Sequence, residues 1–347
     1  MQAPSSAGPS SGPLAGLTVV EMAGIGPCPL AGMLLADAGA TVTVIERPGG
    51  QVLDTGTALD RGKHRICLDL KTVEGLAEAC RLIGAADAVI EGFRPGVMER
   101  LGLGPDVFEA SRPRLVYGRV TGWGQTGPLA QAPGHDINYV ALTGVLSAAS
   151  RAGVAPSIPA TLIGDMGGGA MFLAFGVMCA LWDAQRSGRG RVVDAAMVDG
   201  VGVLSSLMHS LRAAGGWRDE PSQNFFLHSS PFYDCFECAD GRHVSIGALE
   251  PQFYAELLQR LALVDVDPSA QQDRTQWPAL RERVAARIRE KTRDEWTALL
   301  EGTNVCFAPV LSLAEAPLHP HAQARASFVQ TADGNWQPAA APRFSNR

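Results

Sequence analysis

The stretch LTVVEMAGIGPCPLAGMLLADAGATVTVIE, residues 17–46, decides the fold. A β-branched run over 17–22 leads into Gly24-Ile25-Gly26-Pro27-Cys28-Pro29. An apolar run over 30–38 follows, Gly39 stops it, and 41–46 is a second β-branched run. Strand, glycine turn, helix and strand in this order predict a βαβ unit, and hence a parallel sheet with right-handed crossovers.

Working outward, the alternation continues. Strands are predicted at 65–69, 88–91 and 115–121, and helices at 72–83, after Pro95 and at 107–111. That is a doubly wound α/β pattern through about residue 125. Helices are expected at 136–149, 166–186 and 198–213, with a strand at 192–195. A linker at 215–223 leads to a smaller α+β module with strands near 231–237 and 242–246 and helices at 251–261, 278–292 and 293–301. The expected layout is therefore a large α/β domain over 12–222, a small α+β domain over 223–316 and a C-terminal segment, 317–347, returning to the large domain. Residues 1–11 are Ser, Pro, Gly and Ala without a basic or apolar signal region and read as a disordered tail.

Composition narrows the function classes. With 29 basic against 35 acidic residues the net charge is −6, which leaves no footprint for nucleic acid or an anionic membrane surface. Seven cysteines in apolar contexts argue against a disulfide framework and for a reducing, cytoplasmic location. Cys235 and Cys238 lack a second ligand pair at zinc spacing, so no metal is expected. The most apolar run, 171–182, is shorter than the roughly twenty residues a bilayer span needs, so no membrane is expected either.

The first βα turn imitates a dinucleotide fingerprint, with Glu46 twenty residues beyond Gly26. Pro29 stands at the third glycine position, however, and Pro27 and Pro29 have no N–H to offer a pyrophosphate. Arg47, Arg61, Lys63, Arg65, Lys71 and Arg94 fall near strand ends, the edge where open α/β sheets bind ligands. They read equally well as a solvated basic rim or as a phosphate site. His135, in Gly134-His135-Asp136-Ile137-Asn138-Tyr139, and Asp165, in Leu162-Ile163-Gly164-Asp165, each precede an apolar, glycine-rich segment. A His and a carboxylate at helix starts can trade a proton while nearby amides stabilise negative charge. Asp136, Asp165 and Glu250 also have simple helix-cap readings, and His135 a purely structural one. By themselves these residues name no reaction.

Longer words carry a resemblance. Leu68-Asp69-Leu70-Lys71, Phe93-Arg94-Pro95-Gly96-Val97, Thr121-Gly122-Trp123-Gly124-Gln125, the run from Gly134 to Tyr139, Val193-Asp194-Ala195-Ala196-Met197-Val198 and Glu250-Pro251-Gln252-Phe253-Tyr254 occur in order. Over residues 12–344 the chain resembles the α-methylacyl-CoA racemases of the class III CoA-transferase superfamily. The resemblance implies a Rossmann-like large domain, an interlocked homodimer, an acyl-CoA thioester substrate, and no cofactor beyond the coenzyme A that the substrate carries. It places the catalytic residues on His135 and Asp165, supported by Glu250 of the partner subunit. It places the CoA contacts on Arg47, Leu68, Asp69, Leu70, Lys71 and Arg94, and the thioester arm along Gly134, Asp136, Ile137, Asn138 and Tyr139.

Two departures mark this chain. Phe226-Leu227-His228-Ser229-Ser230 stands where racemases carry a Leu-Asp-Gly-Gly-Ala-like run, which bears on the acyl pocket. Cys28 stands where relatives have Gly. Two alternatives to racemisation follow: a class III CoA-transferase with Asp165 as covalent nucleophile, and a relative that binds acyl-CoA without catalysis.

Overall fold

The computed structural model describes residues 12–50, 58–220, 223–226 and 229–345. The expected tail at 1–11 and the residues Leu227 and His228 lie outside the described residues.

The chain divides into two compact units. The first comprises residues up to 145, then 158–205 and 326–347. Its sheet contains β1 (Thr18–Met22), β2 (Thr41–Glu46), β3 (Lys63–Cys67), β4 (Ala88–Glu91), β5 (Val116–Thr121) and β6 (Val192–Ala196). All neighbours are parallel, in the order β3-β2-β1-β4-β5-β6. This is the dinucleotide-fold order, whose connections reverse direction between β1 and β4. Successive residues of β1 serve opposite faces: Val19 joins one buried cluster with β5 and β6, and Val20 another. A sheet covered on both faces needs continuous apolar strands, which explains why β4 and β5 are buried along their whole length.

The helices of this unit are α1 (Pro27–Asp37), α2 (Val73–Ala85), the short α3 (Val97–Arg100) and α4 (Pro105–Phe108), and α5 (Asp136–Leu142). The short α6 (Val145–Ala148) begins where the unit ends. Then come a π-helix (Leu162–Met171), α7 (Phe172–Ser187) and α8 (Met197–Leu204). The π-helix and α7 form one apolar helix of 26 residues, long enough by length and composition to cross a membrane and thus longer than the sequence suggested. It lies on the sheet: a Cβ at Gly118 of β5 would come within 2.8 Å of Val177, and one at Gly176 within 2.6 Å of Val193 in β6.

Several expected elements shift. The helix expected at 136–149 breaks at Gly144, whose φ is 81°, and that expected at 198–213 breaks at Ser205. The strand placed at 65–69 is Lys63–Cys67, so Leu68 and Asp69 lie beyond its end.

The second unit comprises 146–157 and 206–325. It contains α9 (Ser206–Ala213), the antiparallel strands β7 (Tyr233–Glu237), β8 (His243–Gly247) and β9 (Phe307–Pro309), and the helices α10 (Pro251–Arg260), α11 (Trp277–Ile288), α12 (Arg293–Leu300) and α13 (Pro320–Ala324). Its own core gathers Phe232, Tyr254, Trp277 and Trp296. Segment 146–157 belongs here for an electrostatic reason: the fully buried Asp234 carboxylate accepts from Arg151 at 2.7 Å and from Arg281 at 2.5 Å. An unpaired carboxylate at that depth would be costly. The returning C-terminal segment begins at 326 rather than 317 and carries the hairpin β10 (Phe328–Gln330) and β11 (Trp336–Pro338).

Candidate active site

Two cavities open where β1 and β4 end, the switch point of the sheet. One, of about 670 Å³, is lined by Ile25, Gly26, Phe93, Arg94, Gly134, His135, Asp136, Tyr139 and Asp165, among others. The other, of about 450 Å³, is lined by Gly24, Ile25, Arg47, Asp69, Leu70, Lys71 and Phe93, among others. Ile25 and Phe93 belong to both walls. Both volumes suit a small-molecule ligand.

His135 is the exposed N-cap of α5. Its backbone N–H donates to Asn138 Oδ1 at 3.0 Å, and the Tyr139 hydroxyl donates to the carbonyl of Gly134. The Tyr139 ring fits because two neighbours have no side chain: a Cβ on Gly122 would come within 2.0 Å of it, and one on Gly134 within 2.7 Å. Trp123 closes the group edge-on, 4.8 Å from Tyr139 between centroids. The imidazole thus rides on a turn fixed from both sides.

Asp165 is not the helix cap that its sequence position suggests. The cap position is Thr161, in the left-handed region at φ 62°, and Asp165 is the fourth residue of the π-helix. Met166 N–H reaches five residues back to Thr161 O, the bond that defines the wider turn. The triplet Gly167-Gly168-Gly169 lets α8 and α1 press close: a Cβ at Gly168 would meet Val201, and one at Gly169 would meet Met197 and Pro27. Asp165 lies against Gly26, where a Cβ would stand 3.4 Å from its Oδ2. The second glycine of the fingerprint-like turn, left-handed at φ 74°, thus faces a carboxylate. Burial and the neighbouring Asp136 carboxylate push Asp165 up to about 6, with His135 pulling the other way. A carboxyl group at that value exchanges protons readily near neutrality.

Asp136 does what its sequence position does not announce. Its Oδ1 accepts from the backbone N–H of Gly164 at 2.7 Å and of Asp165 at 2.8 Å. It caps the π-helix across twenty-eight residues of chain.

The basic residues divide into two groups. Arg61 pairs with Asp37 at 2.6 Å, Lys63 with Glu21 at 2.7 Å, and Arg65 with both Glu46 and Asp60 at 2.5 Å. Glu46, the ribose ligand of the fingerprint reading, is thereby occupied by Arg65. Arg47 and Lys71 line the smaller cavity, and Arg94 the larger. All three are exposed, and none pairs with a carboxylate among the described residues. Leu70 lines the smaller cavity while also packing on the core, and Leu68 packs there without reaching a cavity wall. Ile137 and Asn138 are exposed and line neither cavity. Glu250 belongs to the second unit, where it is the N-cap of α10 with Pro251 at the first turn; its side chain makes no cap bond. Cys28 is buried facing Gly92, and burial raises its thiol well above the usual range.

Known proteins match along almost the whole chain. Residues 14–347 match the model of CoA-transferase family III. The chain is 41% identical to the alpha-methylacyl-CoA racemase of Mus musculus, over 96% of this chain and 86% of that protein. It is 32% identical to a probable fatty acyl-CoA transferase of Mycobacterium tuberculosis, over 85% of this chain and 82% of that protein. Among solved structures, a CAIB/BAIF family protein from Brucella suis superposes with a TM-score of 0.82 at 25% identity, covering 96% of this chain and 93% of that one. The protein is a member of CoA-transferase family III.

Proposed function

We propose that the protein is a racemase that interconverts the epimers of 2-methyl-branched acyl-CoA thioesters. The observation that carries the reading is the shared cavity of His135 and Asp165, close enough for the imidazole to influence the carboxyl group's titration. The 41% identity to a mammalian racemase supports it.

In this reading one of the two residues takes the α-proton, and the electron pair of the broken C–H bond moves toward the thioester carbonyl, which becomes an enolate. The residue on the opposite face then delivers its own proton to the same carbon. The Asn138 amide already bonds the His135 carbonyl, but those of Asp136 and Ile137 open α5 and supply donors beside His135 for the developing oxyanion. Arg47 and Lys71 hold the nucleotide phosphates in the smaller cavity, and Arg94 meets the arm that leads into the larger. The protein works as a homodimer in which Glu250 of the partner subunit completes the site. Exposed Phe175 and Trp182 on α7, 70% and 65% accessible, support a covering partner.

Inversion requires the pair to carry a single proton, whichever residue holds it. Both directions therefore share one bell-shaped pH profile. Its acid limb falls near Asp165's value of about 6, below which the carboxylate is protonated and lost as a base. The test is incubation of each 2-methylacyl-CoA epimer with the protein in D₂O, followed at the α-carbon by NMR. Deuterium entry with convergence of both epimers on one mixture is the expected result. CoA passing to an added carboxylic acid through an adduct on Asp165 would replace racemisation by transfer. Binding without exchange or transfer would leave only a binder.

A further inference from the structure

We propose that Asp136 is the positioning residue of the proton-transfer pair: its carboxylate ties the turn that carries His135 to the π-helix that carries Asp165, and so fixes the gap between imidazole and carboxyl group. Asp136 follows His135 directly and is only 7% exposed. One of its oxygens takes the amide of Asp165 itself and that of the preceding Gly164. The neighbouring glycine is what admits it, since a Cβ at Gly164 would lie 2.6 Å from Oδ1. A π-helix leaves one more amide unsatisfied at its start than an α-helix does, and Thr161 makes no side-chain cap bond. A carboxylate from another element fills that need and is favoured there by the helix dipole.

The same group acts on Asp165 electrostatically. The titratable neighbours facing Asp165 are Asp136 and His135, with the Tyr139 hydroxyl beside them. Arg94 lines the same cavity and acts on Tyr139; on α1 and α8 the groups against the glycines that follow Asp165 are Pro27, Met197, Val201 and Leu204. Among the described residues Asp136 is the anion that repels the ionised form of Asp165, and removing its charge lowers the pH at which Asp165 titrates. Position and proton affinity can then be separated: Asn keeps an oxygen acceptor and loses the charge, whereas Ala loses both.

The kinetic arm rests on the racemase reading; the titration arm does not. Asp136→Asn and Asp136→Ala are made in the full chain. Thermal melting, CoA affinity, the inversion profile across pH, and the Asp165 carboxyl ¹³C titration are recorded for each. Asp136→Asn is expected to lower the Asp165 midpoint below about 6 and move the acid limb of inversion with it. Asp136→Ala is expected to slow inversion about 100-fold, the scale of a small misplacement of a reacting group, with CoA affinity held within about threefold. Variants that melt earlier yet keep the wild-type maximal rate and acid limb would assign Asp136 to folding alone and overturn the proposal. Should Asp136→Ala fail to fold, Asp136→Asn decides. Should the wild type invert nothing, the racemase reading fails by itself, and an Asp165 midpoint unmoved in both Asp136→Asn and Asp136→Ala would overturn the role of Asp136.

Discussion

The two cavities at the ends of β1 and β4 share Ile25 and Phe93 yet are built on opposite principles. The larger couples its polar groups to one another: exposed His135 on a fixed turn, half-buried Asp165 beside Gly26, and buried Asp136 holding the amides behind it. The smaller offers Arg47 and Lys71 exposed, with no carboxylate partner among the described residues. Coupling and burial move proton affinities and serve chemistry. Exposed, unpaired cations serve recognition of anions, because they meet a phosphate without first giving up another partner. Three other cations, Arg61 just before β3 and Lys63 and Arg65 within it, are spent on carboxylates and hold the sheet edge together.

The comparison can be broken at either end. The largest expected effect is at the coupled cavity: Asp165→Asn should slow inversion on the order of 10² to 10⁴-fold while leaving CoA affinity within about threefold, read by kinetics and equilibrium binding. Equal losses in both would erase the distinction between chemistry and recognition. Next, Arg47→Ala or Lys71→Ala should weaken CoA about 10- to 100-fold, the scale of a charge-assisted hydrogen bond, with the saturated rate unchanged. Titration calorimetry measures it, and a loss of rate at saturation would contradict the division. Gly26→Ala places a Cβ at φ 74° and close to the Asp165 carboxylate, so it should cost about 1–2 kcal/mol of stability in chemical denaturation. The smallest effect belongs to the sheet edge: Arg61→Ala should cost about 1 kcal/mol or less and leave CoA affinity untouched. If Arg61→Ala weakens CoA as much as Arg47→Ala does, the division of the cations into paired and unpaired groups fails.

Much of the frame was legible in the sequence. Residues 41–46 and 88–91 form strands with the expected bounds because β-branched runs between glycine and proline punctuation admit little else. The parallel pairing follows from repeated βα units. The site was legible in its parts but not in its wiring. The π-helix left one trace, the triplet Gly167-Gly168-Gly169, which an α-helix tolerates poorly and which here accommodates α8 and α1. Asp136 read as a local cap because its actual partners, the amides of Gly164 and Asp165, lie far along the chain; Gly164 alone hinted at the contact. Which cations stay free was likewise hidden. Arg65 meets Glu46 because β2 and β3 pair with Val44 opposite Arg65, a register that no local pattern reveals. The breaks at Gly144 and Ser205 show the same limit: an apolar run indicates helix, but a left-handed glycine or a serine that returns its hydroxyl to the backbone ends it.

Racemisation at this site requires two residues of one cavity to act on opposite faces of a single carbon. Single-base variants test it most directly: His135→Ala and Asp165→Asn are each incubated in D₂O with each pure epimer of a 2-methylacyl-CoA. Each variant should exchange the α-proton of one epimer only, a different epimer for each variant, and neither should invert its substrate. Exchange of the same epimer by both variants, or equal loss of exchange from both epimers in both variants, would contradict the account.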